Sequence, residues 1–417
     1  MKISLIQPYY KNTWEPLGLG YISSYIKKNY NGNIEIRCFH GNFDSDETIV
    51  DGSYDCDFIG FSCTSPTFSC GLSLAKKIKE RNNKAKIVFG GWHVTALKEL
   101  SLDDCIDQIV VGEGEQAFLD IINGNSERIV YGTKLPWKDI VDPDRDIIKN
   151  IRTVDLCEKI NGKRTASFQM NRVCPMNCVF CSEHVMTGKF NKITNPIRTR
   201  SEFDTCFEIE NVIKKLNLNY FKFVDATFDV TPDIVINFCK EKINKKIETE
   251  WECLIHAAFV NEEMIEYLKK SNCNQINIGC ESGSDKILKQ IGKGVVAETI
   301  KKAFSISKKY NLKRRGFFIL GMPDETEEDL KLTEKLIEEI EPDVVGFTIL
   351  CPYPGSKLYD HSLFKNIDWT NTDEYSNDFW STKYFSNQDL KDWQKYFTEK
   401  YSYLLCERQQ DNEIEPN

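Results

Sequence analysis

Apolar residues occur along residues 1–134 as short runs separated by amphipathic stretches with helical spacing. Such runs, bounded by turn residues, predict buried β-strands. Because strands that alternate with helices form parallel sheets, this part predicts an α/β domain with a doubly wound, Rossmann-like (flavodoxin-like) sheet. The predicted strands span 3–7, 34–39, 58–62, 87–89 and 108–111, and predicted helices include 18–28, 71–81 and 115–122.

A second series of alternating runs occupies residues 165–360 and predicts a partial (βα)6 barrel. Residues 135–164 lack periodicity and contain Asp142-Pro143-Asp144, so they are predicted to be a linker. Residues 361–417 are rich in aromatics and predict a small helical region, whose 390–405 stripe is expected to pack on the barrel. The predicted barrel strands are 166–170, 220–224, 250–255, 275–279, 315–320 and 344–350, and the helices are 203–216, 233–243, 262–270, 297–310 and 327–340.

Small and hydroxyl-bearing residues follow four strands of the first series. In doubly wound sheets, ligands bind beyond the carboxyl ends of the strands. Residues of this kind let backbone amides approach a phosphate or an amide-rich ligand. For any one motif, a simple tight turn is an equally good interpretation. The residues are Pro16, Leu17 and Gly18 after the first strand, Thr64 and Ser65 after the third, Gly90, Gly91 and His93 after the fourth, and Gly112, Glu113, Gly114 and Glu115 after the fifth.

Three cysteines, Cys174, Cys178 and Cys181, follow the first strand of the barrel series. Their spacing offers three thiolates on one loop, enough to hold a four-iron cluster with one iron lacking a protein ligand. The alternatives are buried thiols or a closed Cys3His zinc site, for which His184 is the nearby candidate. Active sites of parallel barrels lie at the carboxyl ends of the strands, so this loop is expected at the barrel mouth.

The composition favours a cytoplasmic protein. The 417 residues are 41% hydrophobic and 28% charged, with no apolar run long enough to span a membrane and no signal-peptide pattern at the start. Its 16 cysteines are then expected to be reduced thiols. A net charge of -9 makes an extended nucleic-acid interface unlikely, because such an interface needs clustered Lys and Arg.

Eight motifs, taken in order, resemble those of radical S-adenosylmethionine (SAM) enzymes that carry an amino-terminal cobalamin (B12)-binding domain, the class B methyltransferase-like group. The resemblance covers approximately residues 1–360. The motifs are Pro16-Leu-Gly-Leu-Gly20, Gly90-Gly-Trp-His93, Gly112-Glu-Gly-Glu115, the cysteine loop, Phe223-Val-Asp-Ala-Thr-Phe228, Gly279-Cys-Glu-Ser-Gly-Ser284, Gly321-Met-Pro-Asp-Glu-Thr326 and Pro352-Tyr-Pro-Gly-Ser356.

The resemblance implies a [4Fe-4S] cluster on Cys174, Cys178 and Cys181, with SAM bound to the open iron. It implies that Phe180 lies against the adenine of SAM. It further implies that Asp225 accepts a hydrogen bond from the SAM amine and that Glu281 contacts the SAM amine or ribose. Cobalamin would bind at the strand-end residues of the first series named above.

The implied activity is reductive cleavage of SAM and cobalamin-dependent methylation of an unactivated carbon in a small-molecule or natural-product substrate. Radical chemistry without methylation, such as cyclisation, ring contraction or desaturation, with or without cobalamin, is the alternative. A reductant such as flavodoxin or ferredoxin is the implied partner. A tRNA methylthiotransferase would need a second cluster and an RNA-binding domain, for which only Cys63 and Cys70 offer a weak signal. A non-catalytic electron carrier would need no barrel.

Several positions depart from the family pattern. Arg172-Val173 stands where Arg-Gly is usual, which requires a turn without a positive φ angle. Ala226 replaces a second aspartate after Asp225, and His256 stands near a position often held by arginine. The Asp-x-His-x-x-Gly cobalt-ligating motif is absent, so His40 and His93 are expected to be loop residues or to contact a ligating group. Many members of the family bind cobalamin without such a histidine.

Overall fold

Two six-stranded parallel sheets form the framework of the chain, one in each of two compact units. The computed structural model describes residues 1–172, 174–187, 198–373 and 375–405, apart from the side chains of His184 and Thr187. The first unit comprises residues 1–156, the described part of 181–195, and 352–371. The second comprises residues 157–180 and the described parts of 196–351 and 372–417.

The strands and helices alternate through most of the described chain. The strands are β1 Lys2–Gln7, β2 Glu35–His40, β3 Phe58–Ser62, β4 Lys86–Gly90, β5 Gln108–Val111, β6 Ile129–Tyr131, β7 Thr165–Phe168, β8 Tyr220–Phe223, β9 Glu250–Ile255, β10 Cys273–Glu281, β11 Lys313–Leu320 and β12 Val344–Ile349. The helices are α1 Leu17–Asn29, α2 Asp46–Ser53, α3 Ser65–Arg81, α4 Trp92–Leu97, α5 Gly114–Ile122, α6 Ile151–Asn161, α7 Glu183–Thr187, α8 Glu202–Leu216, α9 Pro232–Asn244, α10 Glu262–Lys270, α11 Asp285–Gln290, α12 Ala297–Lys309, α13 Glu327–Ile340, α14 His361–Phe364 and α15 Asn387–Lys400. No helix in the described part of the chain combines the length and apolarity of a membrane span.

The sheet of the first unit has the strand order β2-β1-β3-β4-β5-β6. All pairings are parallel, and β1 lies between β2 and β3. The order therefore reverses between β1 and β3, which places the topological switch point beyond the carboxyl ends of these two strands. This arrangement confirms the predicted flavodoxin-like fold and adds a sixth, three-residue strand, β6.

Helix α3 begins six residues before the predicted helix in this region, at Ser65 instead of residue 71. The reason is local: Thr64 and Thr67 form a reciprocal capping box, and Pro66 stands in the first turn. Residues 65–70 are mostly polar and lack apolar periodicity, so the sequence pattern does not predict this earlier start. The result is that the helix amino terminus lies at the carboxyl end of β3.

The sheet of the second unit follows chain order from β7 to β12, again with parallel pairing. This confirms the predicted partial (βα)6 barrel. The edge strand β12 is covered by α15, where the rings of Phe347 and Phe397 stack at 5.1 Å. Trp380 Nε1 also donates to Gly321 O at 2.7 Å. The carboxyl-terminal aromatic stripe thus packs on the barrel, as its spacing predicts.

A cluster of buried aromatic rings joins β8 and β9 to α9 in the second unit. Phe228 is fully buried and stacks on Phe223 at 4.2 Å, with edge contacts to Phe238 and Trp251. Phe223 ends β8, and Phe228 follows it within the Phe223–Phe228 motif. The motif therefore supplies core contacts as well as Asp225.

We expect the Phe228→Ala substitution to destabilise the second unit by about 3–5 kcal/mol, because it removes a large ring from a closed aromatic core. Thermal unfolding of the two proteins measures the effect as a lower transition midpoint. Phe207→Ala is the matched control, because Phe207 is 52% exposed and its ring should contribute little. Equal midpoints for wild type and Phe228→Ala would contradict the assignment of this ring to the core.

The segment predicted as a linker contains ordered structure. Asp144 accepts hydrogen bonds from Ser23 at 3.2 Å and from Lys27 at 2.5 Å, both on α1. The helix α6 spans Ile151–Asn161 but buries only Thr153 and Val154, which explains its weak apolar periodicity. The domain boundaries at 134, 164 and 360 remain predictions.

Candidate functional site

The cysteine loop follows β7, as predicted. Cys178 is buried, whereas Cys174 and Cys181 are partly exposed. Val173 lies outside the described residues, so the predicted turn at this position is not described.

Three cysteines on one loop are a donor set that fits an iron–sulfur cluster. Within the described residues, no three His, Cys, Asp or Glu side chains converge as they would on one metal ion. In a [4Fe-4S] cluster each cysteine binds a different iron, so its three sulfurs need not converge. The side chain of His184, the predicted fourth zinc ligand, lies outside the described part of the chain.

Neighbouring groups shift the pKa of the Cys178 thiol in opposite directions. Burial raises the pKa of the Cys178 thiol to about 11, and Glu281 and Cys174 also raise it, whereas the ammonium of Lys293 lowers it. The uncomplexed residue is therefore a neutral thiol near pH 7. Because iron binds the thiolate, loading of this site releases a proton.

Asp225 ties the end of β8 to the start of the cysteine loop. Its carboxylate accepts hydrogen bonds from the amides of Met170, at 3.1 Å, and Asn171. The residue is 3% exposed, and burial raises its pKa to about 7 in spite of these two amide donors. In the structure its oxygens thus hold the backbone from which the loop departs. The predicted contact with the SAM amine stays a prediction.

Glu281 ends β10 in a backbone conformation that is uncommon for a side chain with a Cβ. Its φ angle is +63°, and the pairing register with β11 shifts between Gly279 and Glu281. Its Oε1 accepts a hydrogen bond from Lys293 Nζ at 2.6 Å. The pair is buried, with 8% of Glu281 and 10% of Lys293 side-chain surface exposed. Sequence analysis found Glu281 but missed Lys293, which stands outside the quoted motifs.

Phe180, the predicted adenine contact, is partly buried and directly follows Val179, whose amide donates to Ile291 O at 2.9 Å. Another carboxyl that sequence analysis did not single out is Glu325. It is fully buried, and its Oε2 accepts from the amide of Gly321 at 2.6 Å. Burial raises its pKa to about 8. Glu325 therefore stabilises the turn after β11 inside the Gly321–Thr326 motif.

The strand-end residues of the first unit lie along one edge of its sheet, as the parallel order requires. Gly91 has a φ angle of +94°, and a Cβ there would lie 2.8 Å from Cys63 N, so glycine is required. Gly112 also has a positive φ, +96°, and its amide donates to Thr95 Oγ1 at 3.0 Å. A Cβ at Gly18 would meet nothing within 4 Å, which leaves open space at the start of α1.

The other strand-end residues differ in exposure. Thr64 and Gly18 are exposed, and Gly90, Gly91, Gly112 and Gly114 are partly buried. The buried members are Pro16, Leu17, Ser65, His93, Glu113 and Glu115. The buried ones hold the turns in place, whereas the exposed and open ones leave backbone accessible to a ligand.

His93 is the most constrained polar side chain of this edge. Its Nδ1 lies 3.0 Å from Ser65 Oγ, and its ring stacks on Phe68 at 4.1 Å. Burial lowers its pKa to about 4, so the ring is neutral at physiological pH. His40 differs: Nε2 lies 2.8 Å from Trp14 O, and Nδ1 accepts from the amide of Asn42 at 3.2 Å. Both nitrogens of His40 thus contact backbone groups, one at Trp14 between β1 and α1 and one in the turn after β2.

Neutral His93 makes the stability of the chain depend on pH. Its pKa of about 4 lies below the ~6.5 of an unfolded histidine. Its contribution, roughly 3 kcal/mol at most, is therefore present above pH 6.5 and is lost as the pH falls towards 4. Between pH 7.5 and 5, we expect the thermal midpoint of wild type to fall more steeply than that of His93→Asn. The difference between the two midpoints at pH 8 serves as the reference. Parallel profiles would contradict burial of a neutral ring.

Comparison with protein families gives two matches in the order that the fold suggests. The B12 binding domain family matches residues 6–122, and the radical SAM superfamily matches residues 168–337. The first range runs from the last two residues of β1 to the end of α5, and the second covers β8 to β11 together with the cysteine loop. Each unit thus carries one family match in its sheet.

Curated relatives and solved structures share this organisation. An uncharacterized methyltransferase of Pyrococcus horikoshii is 28% identical over 88% of this chain and 84% of its own. The anaerobic magnesium-protoporphyrin IX monomethyl ester cyclase of Rubrivivax gelatinosus is 23% identical over 86% of this chain and 69% of its own. The radical SAM methyltransferase TsrM of Kitasatospora setae, solved with cobalamin and a [4Fe-4S] cluster, shares the fold, with a TM-score of 0.69, 14% identity, and coverage of 86% and 76% of the two chains.

These matches fall on the elements that hold the predicted sites. The B12-binding match contains the strand-end turns of the first unit, and the radical SAM match contains Cys174, Asp225 and Glu281. Together they confirm the family that the motifs resemble. The chain belongs to the radical SAM enzymes that carry an amino-terminal B12-binding domain.

Proposed function

We propose that this protein is a cobalamin-dependent radical SAM methyltransferase that acts on an unactivated carbon of a small-molecule or natural-product substrate. The observation that carries the proposal is the presence in one chain of a B12-binding match at 6–122 and a radical SAM match at 168–337. The methyltransferase names of relatives with the same organisation support it.

In this proposal Cys174, Cys178 and Cys181 hold a [4Fe-4S] cluster, and Phe180, Asp225 and Glu281 contact SAM. When bound, these cofactors supply reductive cleavage of SAM and a transferable methyl group. The spacing of three cysteines on one loop and the buried Lys293 cation that acts on Cys178 support the cluster assignment. An external one-electron donor, such as flavodoxin or ferredoxin, completes the system.

Cobalamin is proposed to bind at the carboxyl edge of the sheet in the first unit. The open space beside Gly18 and beside Gly112, where an added Cβ would meet no atom closer than Gly132 N at 3.9 Å, supports close approach of a large ligand to backbone. His93 is neutral and held through Nδ1, so it can orient a polar group without adding charge. The proposed contacts are Pro16, Leu17, Gly18, Thr64, Ser65, Gly90, Gly91, His93, Gly112, Glu113, Gly114 and Glu115.

The protein itself contributes positioning and exclusion of water. Asp225 and Glu281 are buried carboxyls, one just after β8 and one at the end of β10, at the strand ends where parallel barrels place their chemistry. Sixteen cysteines and an oxygen-sensitive cofactor suit a reducing compartment, so we also propose a cytoplasmic location.

Radical chemistry without methylation is a second candidate. The observation that favours it is the similarity to the cyclase of Rubrivivax gelatinosus, whose name describes a cyclisation and which matches 86% of this chain. The two candidates share the cluster and SAM cleavage, and they differ in whether a methyl group leaves SAM.

The test is anaerobic reconstitution of the full chain with iron, sulfide and hydroxocobalamin, followed by reduction with dithionite in the presence of SAM. Retained corrin absorbance, 5′-deoxyadenosine and S-adenosylhomocysteine are expected together. Formation of 5′-deoxyadenosine, with neither S-adenosylhomocysteine nor retained corrin absorbance, would favour the second candidate. Absence of both nucleosides from a protein with a full cluster would overturn the proposal.

A further inference from the structure

A turn distant in sequence lies against the cysteine loop. The turn is Ile291–Gly294, after α11, and Ile291 O accepts the hydrogen bond from the Val179 amide at 2.9 Å. A Cβ added at Gly292 would lie 3.1 Å from Asn177 O, and one at Gly294 would lie 3.0 Å from Met176 Cε. The two glycines, with φ angles of +68° and +76°, therefore let the turn approach the loop on both sides of Lys293.

The backbone of Lys293 is fixed from two directions. Its amide donates to Leu288 O at 3.2 Å, and its carbonyl accepts from His256 Nε2 at 3.0 Å. The amide of His256 donates in turn to both carboxylate oxygens of Asp229 at 2.9 Å. The turn is thus tied to the end of β9 as well as to α11, so the direction of the Lys293 side chain is set by the fold.

The side chain of Lys293 brings a positive charge into the interior. Its Nζ lies 2.6 Å from Glu281 Oε1, and Gly279 provides the room, since a Cβ there would overlap Glu281 Oε1 and lie 2.7 Å from Lys293 Nζ. The Glu281 carboxylate at this distance favours the charged form of Lys293 in spite of its burial, so the residue brings an ammonium group to this position.

We propose that Lys293 is a positioning residue for the cysteine loop: the turn Ile291–Gly294 docks residues 176–179, and the Lys293 ammonium, with Glu281 as counter-ion, stabilises negative charge at the Cys178 thiolate and its cluster. The inference rests on the proposed cluster. A buried cation stabilises the more negatively charged of the cluster's two redox states, which is the reduced one. It therefore favours one-electron reduction by the external donor.

The experiment compares wild type with Lys293→Met, Lys293→Arg and Glu281→Gln, each reconstituted as the full chain. The readouts are iron and sulfide per chain and the midpoint potential of the cluster, measured without SAM by dye-mediated titration with dithionite and electron paramagnetic resonance. Lys293→Met should lose the cation and shift the potential to more negative values, with lower iron content. Lys293→Arg keeps the positive charge, so its midpoint potential should lie close to that of wild type.

Glu281→Gln provides a variant whose expected shift has the opposite sign. It leaves the Lys293 cation without its counter-ion, so the potential should become less negative. A merely structural role of the pair would not reverse the sign between the two variants. If Lys293→Met does not fold, the shifts of Glu281→Gln and Lys293→Arg still test the inference.

Lys286→Met is the matched control. Lys286 is also in the second unit and pairs with a carboxylate, Asp329, but its side chain is 49% exposed. Its loss should leave the potential unchanged. Potentials that agree among wild type, Lys293→Met and Glu281→Gln, at equal iron content, would overturn the inference while leaving the proposed function intact. A wild-type chain that binds no cluster would overturn the proposed function itself.

Discussion

Replacing Cys178 by alanine is expected to abolish both the cluster and the cleavage of SAM. Cys178 is the buried member of the cysteine loop, and its removal leaves two thiolates, which cannot hold three of the four irons. Wild type should bind roughly four iron atoms per chain after reconstitution, and Cys178→Ala less than half of that. Iron and sulfide analysis, the visible spectrum and 5′-deoxyadenosine formation measure these effects.

The control is Cys206→Ala, because Cys206 is a fully buried free thiol on α8 in the same unit. It loses one sulfur atom from the core but no proposed ligand, so its cluster and activity should remain near those of wild type. Cluster content in Cys178→Ala equal to that of Cys206→Ala would contradict the ligand assignment. Zinc in place of iron in anaerobically prepared wild type would restore the zinc alternative.

The second large effect is expected from Asp225→Ala, which should lower cluster occupancy several-fold. The substitution removes the acceptor of the Met170 and Asn171 amides at the base of the cysteine loop. Each buried donor left without a partner costs about 1–3 kcal/mol, so the loop loses the conformation that presents its thiols. Loss of the buried carboxylate offsets part of this cost in global stability, because burial disfavours its charged form.

Asp225→Asn separates the two roles of this residue. Its amide oxygen can accept the same backbone hydrogen bonds, so cluster content should stay close to wild type. If Asp225 also contacts the SAM amine, Asp225→Asn should weaken SAM binding, measured by equilibrium dialysis, at normal iron content. Equal losses of iron in Asp225→Ala and Asp225→Asn would show that the charge, and not the hydrogen bonding, holds the loop.

Most of the sheet framework was predictable because buried parallel strands are apolar along their whole length. Strands β3 and β5 have the bounds predicted from such runs, and β9, in which buried Trp251, Cys253 and Ile255 alternate with more exposed residues, also has its predicted bounds. The exceptions have a physical reason. The strand β6 has three residues and shows too few apolar positions for a pattern, and α6 is mostly exposed.

Some site residues carried a local signal and others did not. The spacing of three cysteines is recognisable in the sequence at Cys174, Cys178 and Cys181. The Phe223–Phe228 motif locates Asp225 after a strand. Glu325, although inside the Gly321–Thr326 motif, and Lys293 show no local sign of burial, because a glutamate or a lysine in a loop is ordinarily exposed to water. Their burial becomes evident only when the surrounding elements are in place.

The sequence by itself determined two successive series of strands and helices, the three-thiol loop after the first barrel strand, and the glycine-rich ends of the first-unit strands. It did so because period, spacing and turn chemistry are local properties of the chain. The tertiary structure alone decided the β2-β1-β3 order, the seating of the Ile291–Gly294 turn on the cysteine loop and the burial of Lys293 against Glu281. These features depend on which distant segments become neighbours through parallel strand pairing, and a charge is worth most where the fold excludes water around it.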